Sequence, residues 1–119
     1  MLSWPPAVRV FVHTRPTDMR RSFDRLAQMT QELLHQDLFS GHLFVFVNRC
    51  GDRMKILFWD RSGYALFYKR LEEGVFHLPP QDGGCVEIDV PRLMLILEGL
   101  ELSGVLQHKR YRSANGRVQ

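Results

Sequence analysis

The stretch FSGHLFVFVNRCGDRMKILFWDRSGYALFYKRL, residues 39–71, decides the fold. Its β-branched and aromatic runs, bounded by turn residues, predict strands at about 42–48, 53–60 and 63–71. The last two meet at Asp60-Arg61-Ser62-Gly63, where Gly63 can supply a positive φ. Two registers are open there. A two-residue loop pairs Trp59 with Tyr64 and Arg53 with Arg70, and places Arg53, Lys55, Arg70, Trp59, Tyr64 and Tyr68 on one face. A three-residue loop with a glycine bulge pairs Asp60 with Tyr64 and groups Arg53, Lys55, Lys69 and Trp59 instead. In both, Met54, Ile56 and Phe58 face the other side.

Working outward, Val8 to His13 alternates with period two and predicts a strand. Thr14 to Asp18 breaks it, with Thr17 or Asp18 as helix N-cap. A helix is expected from about Met19 to His35, its face formed by Met19, Phe23, Leu26, Ala27, Thr30, Leu33 and Leu34. Beyond the hairpin, a short strand is possible at Val75 to Leu78 before Pro79-Pro80, and a final strand runs from Cys85 to Asp89. Pro91 suits the first position of a second helix to Leu100, ended by Gly99 or Gly104. Short loops between successive strands predict an α+β domain: a mainly antiparallel, curved sheet, one long N-terminal helix and a shorter C-terminal helix, the helices on one face or end.

The 119 residues make one domain over 1–106, with a basic, flexible tail over 107–119. Residues 1–106 hold 12 basic and 13 acidic groups, a net of −1; residues 107–119 hold Lys109, Arg110, Arg112 and Arg117 and no acid, a net of +4. A basic tail on a near-neutral domain suits loose attachment to nucleic acid, against the alternative of a solvated terminus. No run approaches the ~20 apolar residues of a membrane span, and residues 1–6 lack the features of a signal peptide, so a cytoplasmic protein is expected. Cys50 and Cys85 are too few for a disulfide framework or a zinc site and read as free thiols.

Arg15, Arg20, Arg21 and Arg25 crowd the expected helix start, where the macrodipole disfavours cations by about 0.3–1 kcal/mol each. Asp18 and pairs with Asp24 offset part of that cost, and an anion held by backbone N–H groups and guanidinium forks would account for the rest. In the hairpin, Arg53, Lys55, Lys69 and Arg70 can neutralise phosphates while Trp59, Tyr64 and Tyr68 can stack on bases. The competing reading has these rings half-buried beneath Lys and Arg stems. The candidate DNA-binding set is Arg15, Arg20, Arg21, Arg25, Arg53, Lys55, Trp59, Tyr68, Lys69 and Arg70, together with Lys109, Arg110 and Arg112. Enzyme signatures are weak. The five histidines (13, 35, 42, 77, 108) follow no ligand spacing, and Asp18, Asp24, Asp52 and Asp60 each sit beside a basic residue. No catalytic residue, metal site or cofactor is expected.

Thr17-Asp18-Met19-Arg20, Phe23-Asp24, Phe39-Ser40-Gly41-His42-Leu43-Phe44-Val45-Phe46, Gly51-Asp52, Lys55-Ile56-Leu57, Trp59-Asp60, Gly63 and Lys69-Arg70-Leu71 together resemble one family. It is that of the small accessory protein, Orf2 or TnpB type, of bacterial insertion sequences of the IS-66 family, and is unrelated to the RNA-guided nucleases that share the TnpB label. The resemblance covers about residues 7–102. Leu38 departs from it where proline is frequent, and Cys50 where a basic residue is common.

The resemblance implies a part in DNA transposition beside a separate, larger transposase that carries the acidic catalytic triad, and it brings no catalytic residues with it. The expected partners are DNA, contacted through its phosphates with weak sequence preference, the transposase and the element's other accessory protein. An adaptor of the transposase that touches no DNA is the alternative, and a metal-dependent nuclease built on Asp18, Asp24, Asp52 or Asp60 is a third reading.

Overall fold

The computed structural model describes residues 7–34, 37–80 and 83–100. Its frame is a five-stranded sheet in the order β4-β3-β2-β1-β5, formed by β1 (Val10–His13), β2 (Leu43–Val47), β3 (Arg53–Asp60), β4 (Gly63–Arg70) and β5 (Cys85–Ile88). β1 and β2 are buried along their whole length, as strands covered on both faces must be. Alternation then sorts their side chains. Val10, Val12, Leu43, Val45 and Val47 enter one core with Met54, Ile56 and Ile88. Phe11, Phe44, Phe46 and Leu57 enter the other.

Each core has its own helix. α2 (Val90–Leu97) buries Leu93, Ile96 and Leu97 in the first, and α1 (Phe23–Met29) buries Leu26, Ala27 and Met29 in the second. The helices therefore cover opposite faces of the sheet, a correction to the expectation of one helical face or end. Asp89 caps α2 by accepting the Arg92 N–H at 3.0 Å, Pro91 lies in its first turn, and Gly99 (φ 79°) ends it.

Two further expectations of fold class are overturned. The sheet is mixed rather than mainly antiparallel, because β1 and β2 pair in parallel, Val10 opposite Leu43. Strands joined by a short turn run antiparallel, but β1 and β2 are joined by a helical crossover that returns the chain to the end of the sheet where β1 began. There is also no long N-terminal helix. α1 starts at Phe23 behind Ser22, and after Met29 the chain continues as one π-helical turn, Thr30–Leu34. Residues 17–21 are withheld from the helix by tertiary bonds. The Thr17 N–H donates to the Val47 carbonyl at 2.8 Å, and the Lys55 ammonium takes the carbonyls of Met19 and Arg21, both at 2.7 Å. At the other end the buried Thr30 hydroxyl donates to the Leu26 carbonyl at 3.0 Å, a back-bond that loosens a helix where it occurs.

The hairpin takes the two-residue loop, with Trp59 opposite Tyr64 and Arg53 opposite Arg70. Arg61 (φ 51°) supplies the positive φ there, and Gly63 does not. Val75 to Leu78 forms no strand; Phe76 instead donates one backbone bond to Gly51 at 2.7 Å and drops its ring into the α2-side core. That approach explains Gly51, whose φ is 80° and whose added Cβ would lie 3.3 Å from the Val75 side chain.

Candidate nucleic-acid interface

On the α1 side, the loop from Arg15 to Arg21 forms a ridge between two clefts. One, of about 590 Å³, opens between this loop, the Asn48–Cys50 turn and the start of β3, with Arg20, Arg21, Arg49, Arg53 and Tyr68 in its wall. The other, of about 300 Å³, lies between the loop, α1 and Gly83-Gly84, with His13, Arg15, Arg21 and Arg25 in its wall. Arg21 and the residues Pro16, Thr17 and Asp18 line both. Six arginines thus face two adjoining hollows, and among the described residues Asp18 is the one acid that lines either.

The sequence folds this way because the ridge is anchored from below. Thr17 is buried and bonded to β2, and its hydroxyl lies 3.3 Å from Nδ1 of His13 at the end of β1. Lys55 holds the far end of the ridge. Asp18 turns the chain by accepting the Arg20 N–H at 2.9 Å, and the Arg20 guanidinium closes on the same carboxylate at 2.6 Å. These two bonds hold the Asp18 carboxyl down at about 2, so it remains an anion throughout the physiological range. Arg20 is spent on that pair, although its side chain is 91% exposed. Arg25 contacts Gln28 and Glu32 on its own helix. Arg15, Arg21, Arg49 and Arg53 have no ion-pair partner among the described residues. Burial holds the His13 imidazole below its ordinary value; a bond to the Arg15 backbone opposes this and the Arg15 charge adds to it. His13 is therefore neutral near pH 7.

The structure brings Arg15, Arg20, Arg21, Arg25, Arg53 and Tyr68 together and separates the rest of the expected set. Lys55 is 6% exposed, with its ammonium turned to backbone carbonyls and 4.9 Å from the Tyr68 ring centroid. Lys69 points to the opposite face, where it donates to the Leu97 carbonyl at 2.6 Å and closes the C-terminal end of α2. Arg70 lies beside Arg53 and Tyr68 but is paired with Glu72 at 3.0 Å. Trp59 stands at the far end of the hairpin, about 20 Å from Arg53 at strand spacing. There it packs edge-on against Tyr64 and Phe39, at centroid distances of 5.1 and 4.8 Å. Lys109, Arg110 and Arg112 lie outside the described residues. The helix-dipole argument for Arg15, Arg20 and Arg21 falls away, since all three precede α1 on the loop.

Arg49 escaped the sequence reading. Its signal was present in Arg49-Cys50-Gly51, a basic residue at the turn that delivers Arg53 to the same sheet edge. Cys50 is exposed in that turn and lines the larger cleft. Burial pushes the Cys85 thiol up. Asp18, Asp24, Asp52 and Asp60 do not converge. Asp52 accepts from Asn48 at 2.8 Å, Asp24 is in the first turn of α1, and Asp60 closes the hairpin. Among the described residues no group of three or more His, Cys, Asp or Glu is placed to hold a metal ion, and no helix is long and apolar enough to cross a membrane.

The chain is a member of the IS66 Orf2-like family, whose description, IS66 Orf2 like protein, matches residues 8–107. Membership associates it with the IS66 insertion sequences and with an accessory part in transposition. Among its relatives is the uncharacterized protein y4hO of Sinorhizobium fredii (strain NBRC 101917 / NGR234), 40% identical over 94 residues that cover 79% of this chain and 82% of that protein. A second, the uncharacterized protein y4jC of the same strain, is 34% identical over 98 residues, covering 82% and 84%. No solved structure matches the chain.

Proposed function

We propose that this protein serves transposition by binding DNA through the two clefts beside the Arg15–Arg21 ridge, without catalysing a reaction itself. The observation that carries this reading is the concentration of six arginines around one acid, four of them without ion-pair partners among the described residues. Guanidinium groups at a cleft wall suit phosphate oxygens, and among the described residues no helix is offered to a groove for base readout, so binding is electrostatic and weakly sequence-specific. The test is reversal of Arg21 and Arg49 to Glu, set against reversal of Arg61 and Arg92, which lie on the hairpin loop and on α2. Loss of DNA retention in the first variant alone supports the reading. Equal retention by both variants and the parent contradicts it.

Assembly with the transposase is a second reading, favoured by a different observation. Phe39 is 59% exposed while packed against Trp59, at the opposite end of the sheet from the clefts. An exposed aromatic ring braced by a second ring can anchor a protein contact. Phe39→Ser should abolish transposase pull-down and leave DNA retention intact.

A further inference from the structure

The larger cleft holds a feature that phosphate binding does not use. Tyr68 lines its wall and is 48% exposed, and the ring is held from two sides. Its hydroxyl lies 3.4 Å from Nη1 of Arg53, and the Lys55 ammonium stands 4.9 Å from its centroid. Lys55 is itself immobilised on the Met19 and Arg21 carbonyls. An aromatic ring so oriented loses little freedom when another ring stacks on it. Arg21 and Arg49 line the same open cleft, whose volume of about 590 Å³ falls within the range of clefts that take one small molecule.

Paired bases have both faces covered by their neighbours in the stack. A side-chain platform inside a cleft is therefore reached by a base only when that base is unpaired. We infer that the cleft takes one unpaired nucleotide of a DNA strand, its base against Tyr68 and its phosphates against Arg21 and Arg49. The protein accordingly prefers frayed ends or single strands to closed duplex. This inference rests on the DNA-binding reading above and narrows its substrate.

The test uses the full chain and three fluorescein-labelled probes at low salt: a blunt duplex, the same duplex with an overhang of a few thymidines, and oligothymidylate. The two probes with unpaired bases should bind about tenfold more tightly than the blunt duplex, the scale of one base–aromatic stack. Tyr68→Ala should bring all three to the blunt-duplex level, while Tyr68→Phe should keep most of the preference. As a second readout, Tyr68→Trp should show fluorescence quenched by the overhang and unaffected by the blunt duplex, beyond the change in the parent protein. Equal affinity of the parent for blunt and overhanging duplex, or a folded Tyr68→Ala that retains the preference, overturns the inference and leaves DNA binding standing. Absence of binding to any of the three probes overturns both.

Discussion

Lys55 on β3 and Met19 on the ridge lie 36 residues apart in sequence, yet the Lys55 ammonium donates to the Met19 carbonyl at 2.7 Å, with a second bond of equal length to Arg21. A lysine that looks like part of a charged surface is instead the peg that keeps residues 19–21 out of the helix and presents their arginines at a cleft. Its charge is spent on the loop it shapes.

Replacing Lys55 with Met should therefore act on stability before it acts on binding. The change keeps the stem's volume but leaves two partly buried carbonyls without a donor, a loss of about 1–3 kcal/mol. Chemical denaturation should show the lower midpoint, and amide exchange should rise first at residues 17–21. Unchanged stability would mean that the ridge is held by Thr17 and its bond to β2 alone.

His13 gives a pH dependence with a definite sign. Its folded-state value lies below the unfolded value of 6.5, so the unfolded chain binds the proton more readily between the two. The neutral ring's stabilising contribution is complete above 6.5 and is lost as pH falls from there toward the folded-state value. Thermal midpoints taken from pH 8 to pH 5 should fall for the parent and fall less for His13→Gln. Parallel curves would contradict a buried neutral imidazole.

Arg61 occupies a backbone conformation, φ 51°, that side chains with a Cβ resist. Relief of that strain in Arg61→Gly exceeds the added entropy of the unfolded chain and should stabilise the protein by about 1 kcal/mol, with DNA binding unchanged. A rise in thermal midpoint checks this directly.

The hairpin, the last strand and the second helix were legible because their signals are local. Gly99, Pro91 and the period-two runs act within a few residues of themselves. The parallel pairing of β1 with β2 was hidden by the short loops elsewhere, which made antiparallel neighbours look general. The first helix was overestimated because its apolar period continues through Met19, whereas the bond that removes Met19 from the helix comes from Lys55, far along the chain. The same contact explains the candidate site. Arginines on the ridge could be named from sequence, but Lys55 and Lys69 alternate like surface residues while each ends on a backbone carbonyl, on opposite faces of the sheet.

Single replacement of Arg21 or Arg49 by Ala should weaken DNA binding without changing the thermal midpoint. Each removes about one phosphate contact, so the slope of log affinity against log salt should become shallower by about 1. Lys69→Ala, whose ammonium caps α2, should leave that slope unaltered and lower stability instead.

The most direct measurement of the central claim is the salt dependence of the parent protein's binding to transposon-end and scrambled DNA by fluorescence anisotropy. Affinity that falls steeply as salt rises, with nearly the same slope for both sequences, is the result the arginine-lined clefts predict. Affinity that is absent even at low salt, or that is indifferent to salt, would contradict it.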